Sequence, residues 1–203
     1  EKNIKNFSVF SVHKLIPPAL QALMHDPALS VDGFLCPGHV STIIGTQAYH
    51  CIPEAGRAAV ITGFEPVDIL EGVYLLLGQI LEGKKEVVLQ YSRGVKPEGN
   101  QRARAMLEAV FCPASAAWRG LGEIPESGLV FTEAYRTFDA LRKYRVPDIV
   151  SEEIAGCRCG EILRGIRSPD QCPLFRKACT PLTPVGACMV SSEGTCAAYY
   201  KYH

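Results

Sequence analysis

The sequence predicts an α/β protein: a mostly parallel sheet with helices on both faces, followed by a loop-rich, cysteine-rich domain. Three observations predict it. Short apolar runs alternate with segments of helical periodicity through the first half of the chain. Those runs are continuous rather than alternating with polar residues, as strands covered on both faces are. Six of the nine cysteines fall between Cys157 and Cys196, among prolines and glycines. The expected division is residues 1–125 for the α/β domain and 126–203 for the cysteine-rich domain.

Each element has its own signal. Residues 13–25 read as a helix, with Pro17 and Pro18 in a first turn where a missing N–H costs little. Its apolar stripe is Leu20, Leu23 and Met24. Val31 to Leu35 reads as a strand running into Cys36-Pro37-Gly38-His39-Val40-Ser41, and helical pattern resumes from Ser41 to Tyr49. Ala58 to Thr62 is a second buried strand, ending at Gly63-Phe64-Glu65-Pro66. Pro66 opens a helix whose Ile69, Leu70, Val73, Leu76, Leu77 and Ile80 follow 3.6-residue periodicity. Glu86 to Tyr91 is a third strand, and residues 100–111 a helix capped by Asn100. Residues 118–128, rich in glycine, read as a loop or hinge. A short strand at 128–131 and a helix at 132–144 follow.

Composition excludes several classes. Lysine plus arginine equals aspartate plus glutamate at 21 each, so there is no electrostatic footprint for nucleic acid. The longest apolar stretch, Val73 to Leu81, is far short of the ~20 residues that a bilayer needs. Residues 1–10 lack the basic start and apolar run of a secretory leader. A cytoplasmic protein without membrane or nucleic-acid partners is expected.

In open parallel sheets, ligands bind outside the carboxyl ends of the strands. That edge carries the PGHVS loop, the GFEP loop and Tyr91-Ser92-Arg93, placing His39, Glu65 and Arg93 together. Glycines 38 and 63 are expected to let backbone approach a ligand. An imidazole and a carboxylate on neighbouring loops bind a transition metal or shuttle a proton. The structural readings are that Ser41 and Asp68 cap helices, His39 is a hydrogen-bonded loop residue, and Glu65 favours a helix start. Neither a GxGxxG after a strand nor a Walker P-loop is present. Cys51 and Cys112 read as structural.

The tail spaces its cysteines as C-x-C-x12-C-x6-C-x8-C-x7-C. Six thiols in so short a stretch exceed the needs of one tetrahedral site. Four hold a 4Fe-4S cluster or a zinc ion, and two remain for a disulfide or a redox pair. The absence of paired C-x2–4-C knuckles favours the cluster over zinc, and a disulfide framework stays open.

The motifs Cys157-Arg158-Cys159-Gly160-Glu161-Ile162-Leu163-Arg164-Gly165, Cys172-Pro173-Leu174-Phe175, Ala178-Cys179-Thr180-Pro181, Pro184-Val185-Gly186 and Cys188-Met189-Val190-Ser191-Ser192-Glu193-Gly194 resemble the carboxyl-terminal signature of the HypD family. The upstream PGHVS, GFEP and Gln90-Tyr91-Ser92-Arg93 motifs agree. The resemblance implies a role in maturing NiFe hydrogenases: an iron-binding scaffold for the Fe(CN)2CO group, redox-active rather than a conventional turnover enzyme. It implies a HypC-type chaperone and a HypE-type cyanide donor as partners. It further implies 4Fe-4S ligation by Cys157, Cys172, Cys179 and Cys196, a redox pair of Cys159 with Cys188, and His39 and Glu65 lining an iron cleft. Transient iron, the Fe(CN)2CO precursor, would be the cargo. The alternatives are a zinc-stabilised interaction module and a metal-free thiol oxidoreductase.

One departure bears on this. The family's amino-terminal Cys-Gly-Thr-His-Glu motif and first α/β portion are absent from these residues, so the chain resembles the second half of a HypD. It is expected to keep the cluster without completing maturation alone. Cys36 stands where the family is not expected to carry cysteine.

Overall fold

A computed structural model describes residues 4–147 and 154–203. They form two compact units that interleave in sequence. The first holds residues 4–25, 32–115 and 125–146, and the second 26–31, 116–124, 147 and 154–203. Residues 126–146, assigned above to the cysteine-rich part, group by contacts with the unit that holds the parallel sheet.

The first unit is built on three parallel strands, β1 (Gly33–Pro37), β2 (Ala58–Thr62) and β3 (Val87–Leu89), in the order β1-β2-β3. Gly33 pairs with Ala58, and Ala59 with Val87. All five residues of the central β2 are buried, which explains its unbroken apolar run. Alternate residues face opposite layers. Cys36, Ala59 and Ile61 join Tyr49 and Ile52 in one core, against which Leu20 and Met24 of α1 (Ile16–Met24) pack. The opposite face meets α4 (Pro66–Leu81): a Cβ on Gly33 would lie 2.7 Å from Leu76, and one on Gly72 2.9 Å from Thr62 Oγ1. The sheet is small and carries helices on both faces.

Local chemistry sets the ends of the other helices. α2 (Gly38–Ile44) starts directly after β1, earlier than periodicity indicates, and stops where Gly45 takes a φ of 80°. Only a 3-10 turn, Gln47–Tyr49, continues the expected helix, before α3 (Cys51–Glu54). α5 (Gln101–Val110) is capped as expected, Asn100 Oδ1 accepting from Ala103 N–H at 3.0 Å.

The expected loop at 118–128 is instead part of a hairpin. β4 (Phe111–Trp118) and β5 (Gly122–Phe131) form a two-stranded sheet. Pro113 and Pro125 disguise it, yet a two-stranded ribbon has only edge strands, where proline is tolerated. The expected helix at 132–144 divides into a 3-10 segment, Glu133–Phe138, and α6 (Ala140–Lys143), capped by Asp139.

The second unit has little regular structure: α7 (Cys159–Leu163), a 3-10 turn Pro169–Gln171, α8 (Ala187–Val190) and α9 (Thr195–Tyr202). Its core is mostly sulfur and a few apolar side chains: Cys159, Ile162, Cys172, Phe175, Cys179, Cys188, Met189, Cys196 and Ala197. Among the described residues no helix is long and apolar enough to cross a membrane.

Candidate functional site

In the first unit, the loops after β1 and β2 meet residues 91–93 at the carboxyl edge of the sheet, as strand order dictates. A shallow depression there is lined by His39, Gly63, Phe64, Glu65, Asp68, Tyr91 and Arg93. His39 and Glu65 therefore share one surface. The His39 ring packs on Phe64 with centroids 4.6 Å apart. The Glu65 side chain is 79% exposed and lies 3.7 Å from Arg93 Nη2.

The residue that organises this edge is Asp68. It lies in the first turn of α4, where its carboxylate accepts from the backbone N–H of Glu65, the residue that precedes the helix. Its carboxylate is nearly buried and accepts from both Arg93 nitrogens, one at 2.9 Å, and from Gln90 Nε2 at 2.9 Å. Those charge-assisted bonds, Arg93 foremost, hold its pKa down to about 2. Gln90 Nε2 also reaches Glu71, and its Oε1 accepts from Gly63 N–H at 3.2 Å. Ser41 is not a cap: its hydroxyl, with one proton to give, lies within hydrogen-bond distance of both Pro37 O and Tyr49 Oη. Sequence reasoning missed the Asp68–Arg93 pair because its partners lie on separate loops and share no local pattern.

Both glycines also leave room for neighbouring protein atoms. A Cβ on either Gly38 or Gly63 would lie 2.8 Å from the Tyr91 ring. A Cβ on Gly38 would also lie 2.6 Å from Thr62 O, and one on Gly63 would overlap the Asp68 carboxylate; over the Tyr91 ring the Arg93 guanidinium stacks at 4.4 Å from the centroid.

In the second unit all six tail cysteines gather in one core. Five are buried and Cys157 is partly so. Burial foremost raises the pKa of Cys157 and Cys196, and the field of Cys159, Cys172 and Cys179 reaches both. Cys159 is pushed up by its hydrogen bond to Cys188 and by burial. The Cys188 Sγ lies 3.0 Å from Cys196 Sγ. Val185 N–H donates to Cys179 Sγ at 3.3 Å. Gly186 allows the gathering: a Cβ there would meet Cys157 Sγ at 2.7 Å and Cys159 Cβ at 3.3 Å. Beside Cys157 and Cys159 a crevice of about 260 Å³ opens, lined by Arg119, Arg158 and Arg164. Arg164 is paired with Asp26 at 3.1 Å, and Arg119 donates to Val185 O.

Among the described residues no three His, Cys, Asp or Glu side chains converge on the position of a single metal ion. The donor set is soft sulfur throughout, enclosed with apolar side chains. Thiolates of this kind are the ligands that iron–sulfur groups and zinc both take.

The other cysteines stand apart. Cys36 is in the sheet core, where burial pushes its thiol up to about 12, and Cys51 packs against that core. Cys112 is exposed on β4.

The whole chain, residues 1–203, matches the family model HypD, described as the hydrogenase formation hypA family. It is 43% identical to the hydrogenase maturation factor HypD2 of Bradyrhizobium diazoefficiens, over 100% of this chain and 55% of that protein. It is 46% identical to the hydrogenase expression/formation protein HupD of Azotobacter chroococcum, over 98% and 54% respectively. With a putative hydrogenase expression/formation protein of Methanocaldococcus jannaschii it shares 41% identity, over 99% and 56%. The chain spans about half the length of the curated relatives it matches. It belongs to the HypD family of hydrogenase formation proteins.

Proposed function

We propose that this chain serves in hydrogenase maturation as a redox-active scaffold on which the Fe(CN)2CO group is assembled. The observation that carries the reading is the gathering of six thiols, five of them buried, in one core of a chain that matches the HypD family throughout. Cys157, Cys172, Cys179 and Cys196 would hold a 4Fe-4S cluster, and Cys159 with Cys188 would form the redox pair.

Such a cluster, when bound, supplies single electrons. The chain's own residues do the rest. Cys159 and Cys188, already in contact, store two electrons as thiols and give them up, with two protons, on forming a disulfide. Burial withholds both thiols from adventitious oxidants. At the sheet edge, Glu65 and His39 present a carboxylate and an imidazole to an incoming iron, which is cargo rather than a resident cofactor. Asp68 fixes Arg93, so that its guanidinium lies beside Glu65 and orients that carboxylate.

Partners are part of the proposal: a HypC-type chaperone and a HypE-type cyanide donor. Helix α4 offers a face for one of them. Val67, Leu70, Tyr74, Leu77 and Leu81 are all exposed, at alternating spacings of three and four, which is the seam one helix offers another.

Anaerobic purification with iron, sulfide and zinc analysis and a visible spectrum tests the central claim. A brown protein with about four irons per chain and broad absorption near ~400 nm is expected. A colourless zinc protein would make it a structural module, and a metal-free dithiol protein a thiol oxidoreductase.

A further inference from the structure

Cys188 lies between two thiols of different assigned roles. Its Sγ donates to Cys196 Sγ at 3.0 Å. It also hydrogen-bonds the thiol of Cys159. Two glycines hold it there. A Cβ on Gly194 would overlap the Cys188 carbonyl, and one on Gly186 would touch Cys188 Sγ at 3.7 Å. The side chain is buried, so no water competes for the bond.

We propose that Cys188 is a positioning residue that couples the state of the redox pair to the cluster: as a thiol it hydrogen-bonds the ligand sulfur of Cys196, and as half of a disulfide with Cys159 it cannot. The inference rests on the cluster reading above.

The direction follows from charge. Reducing a cluster adds negative charge to its sulfurs, and a hydrogen-bond donor stabilises the more negative form. Hydrogen bonds to the sulfurs are among the features that set cluster potentials. The thiol state therefore raises the potential and the disulfide state lowers it. In balance, Cys159–SH and Cys188–SH with an oxidised dithiol give the protein disulfide and the reduced dithiol. Two electrons and two protons leave, and one of those protons is the one shared with Cys196. A disulfide thus makes the cluster the stronger donor, and delivery of electrons weakens it again. The arrangement limits itself at two electrons.

Variants that cannot form the disulfide isolate the bond. Iron content and the visible spectrum of each are measured first, then the cluster midpoint by anaerobic potentiometry. C159A keeps the Cys188 donor, C159A/C188S replaces it with a hydroxyl donor, and C159A/C188A removes it. The first two are expected to share a midpoint, with C159A/C188A shifted to more negative potential. In the wild-type protein, closing the pair with oxidised dithiothreitol should shift the Fe–S(Cys) bands of the resonance Raman spectrum, and in C159A it should not. Equal midpoints in all three variants, with full iron loading, overturn the coupling alone. A wild-type protein that binds no iron overturns the cluster reading and the coupling with it.

Discussion

Asp68 and Arg93, 25 positions apart in sequence, meet in a two-point ion pair at the carboxyl edge of the parallel sheet. Asp68 is nearly buried and Arg93 about half exposed, and Arg93 is the foremost of the groups that stabilise the carboxylate. The pKa of Asp68 is lowered to about 2, against about 3.9 for an unfolded aspartate. Its ionised form therefore stabilises the fold fully above about pH 4, and that contribution is lost as pH falls towards 2. D68N should lower the urea midpoint at pH 7, and the gap from wild type should close between pH 5 and 2. A gap independent of pH would show that packing, not charge, holds the edge. R93K keeps the charge without the fork and should recover only part of the loss.

Gly186 tests how tightly the sulfur core is packed. A Cβ at this position would come within 2.7 Å of Cys157 Sγ and 3.3 Å of Cys159 Cβ. Overpacking of this kind costs typically about 1–3 kcal/mol. G186A should therefore destabilise the second unit by roughly that amount and lower the iron retained per chain after anaerobic gel filtration. Unchanged thermal stability together with unchanged iron would mean that the core is loose enough to absorb a methyl group.

The sheet was largely legible because its signals are local. Ala58 to Thr62 is a strand in both readings, and Pro66 opens α4 as expected. The hairpin of β4 and β5 was not legible, because Pro113 and Pro125 carry loop signals that edge strands tolerate, on either side of a true turn at Gly120. The sulfur core was legible as a count and a spacing, yet the contact of Cys188 with Cys196 depends on how α8 meets α9. The Asp68–Arg93 pair was hidden for a similar reason: an aspartate near a helix start has an ordinary local explanation, and only the register of β2 and β3 brings Arg93 to it.

Helix α4 separates two kinds of exposed residue. Gly78 would bring a Cβ near nothing within 4 Å, and its φ is not positive. Replacing glycine with alanine in an open helix interior stabilises by about 0.5–1 kcal/mol. G78A should raise the melting temperature accordingly. Leu70 and Leu77 are largely exposed, so L70Q/L77Q should leave stability within about 1 kcal/mol. The same double substitution should weaken binding of a purified HypC-type chaperone at least tenfold, measured by calorimetry. Full-strength binding by L70Q/L77Q would place the partner on another face.

Removing iron should loosen one unit and spare the other. The second unit has few helical turns and a core composed largely of cysteine sulfur, so a bound cluster would be its main source of order. Metal binding energy at such sites is folding energy. The first unit has its own apolar core around Tyr49, Ile52, Ala59 and Ile61. Hydrogen exchange, comparing iron-loaded with chelator-stripped protein under argon, should show protection lost at the amides of Cys172, Phe175, Cys179 and Met189. All four are hydrogen-bonded within the second unit. The amides of Ala59 and Ile61 in β2 should exchange at the same rate in both samples. Equal protection of the cysteine segment with and without iron would mean that the sulfur core is held by its apolar contacts and hydrogen bonds alone.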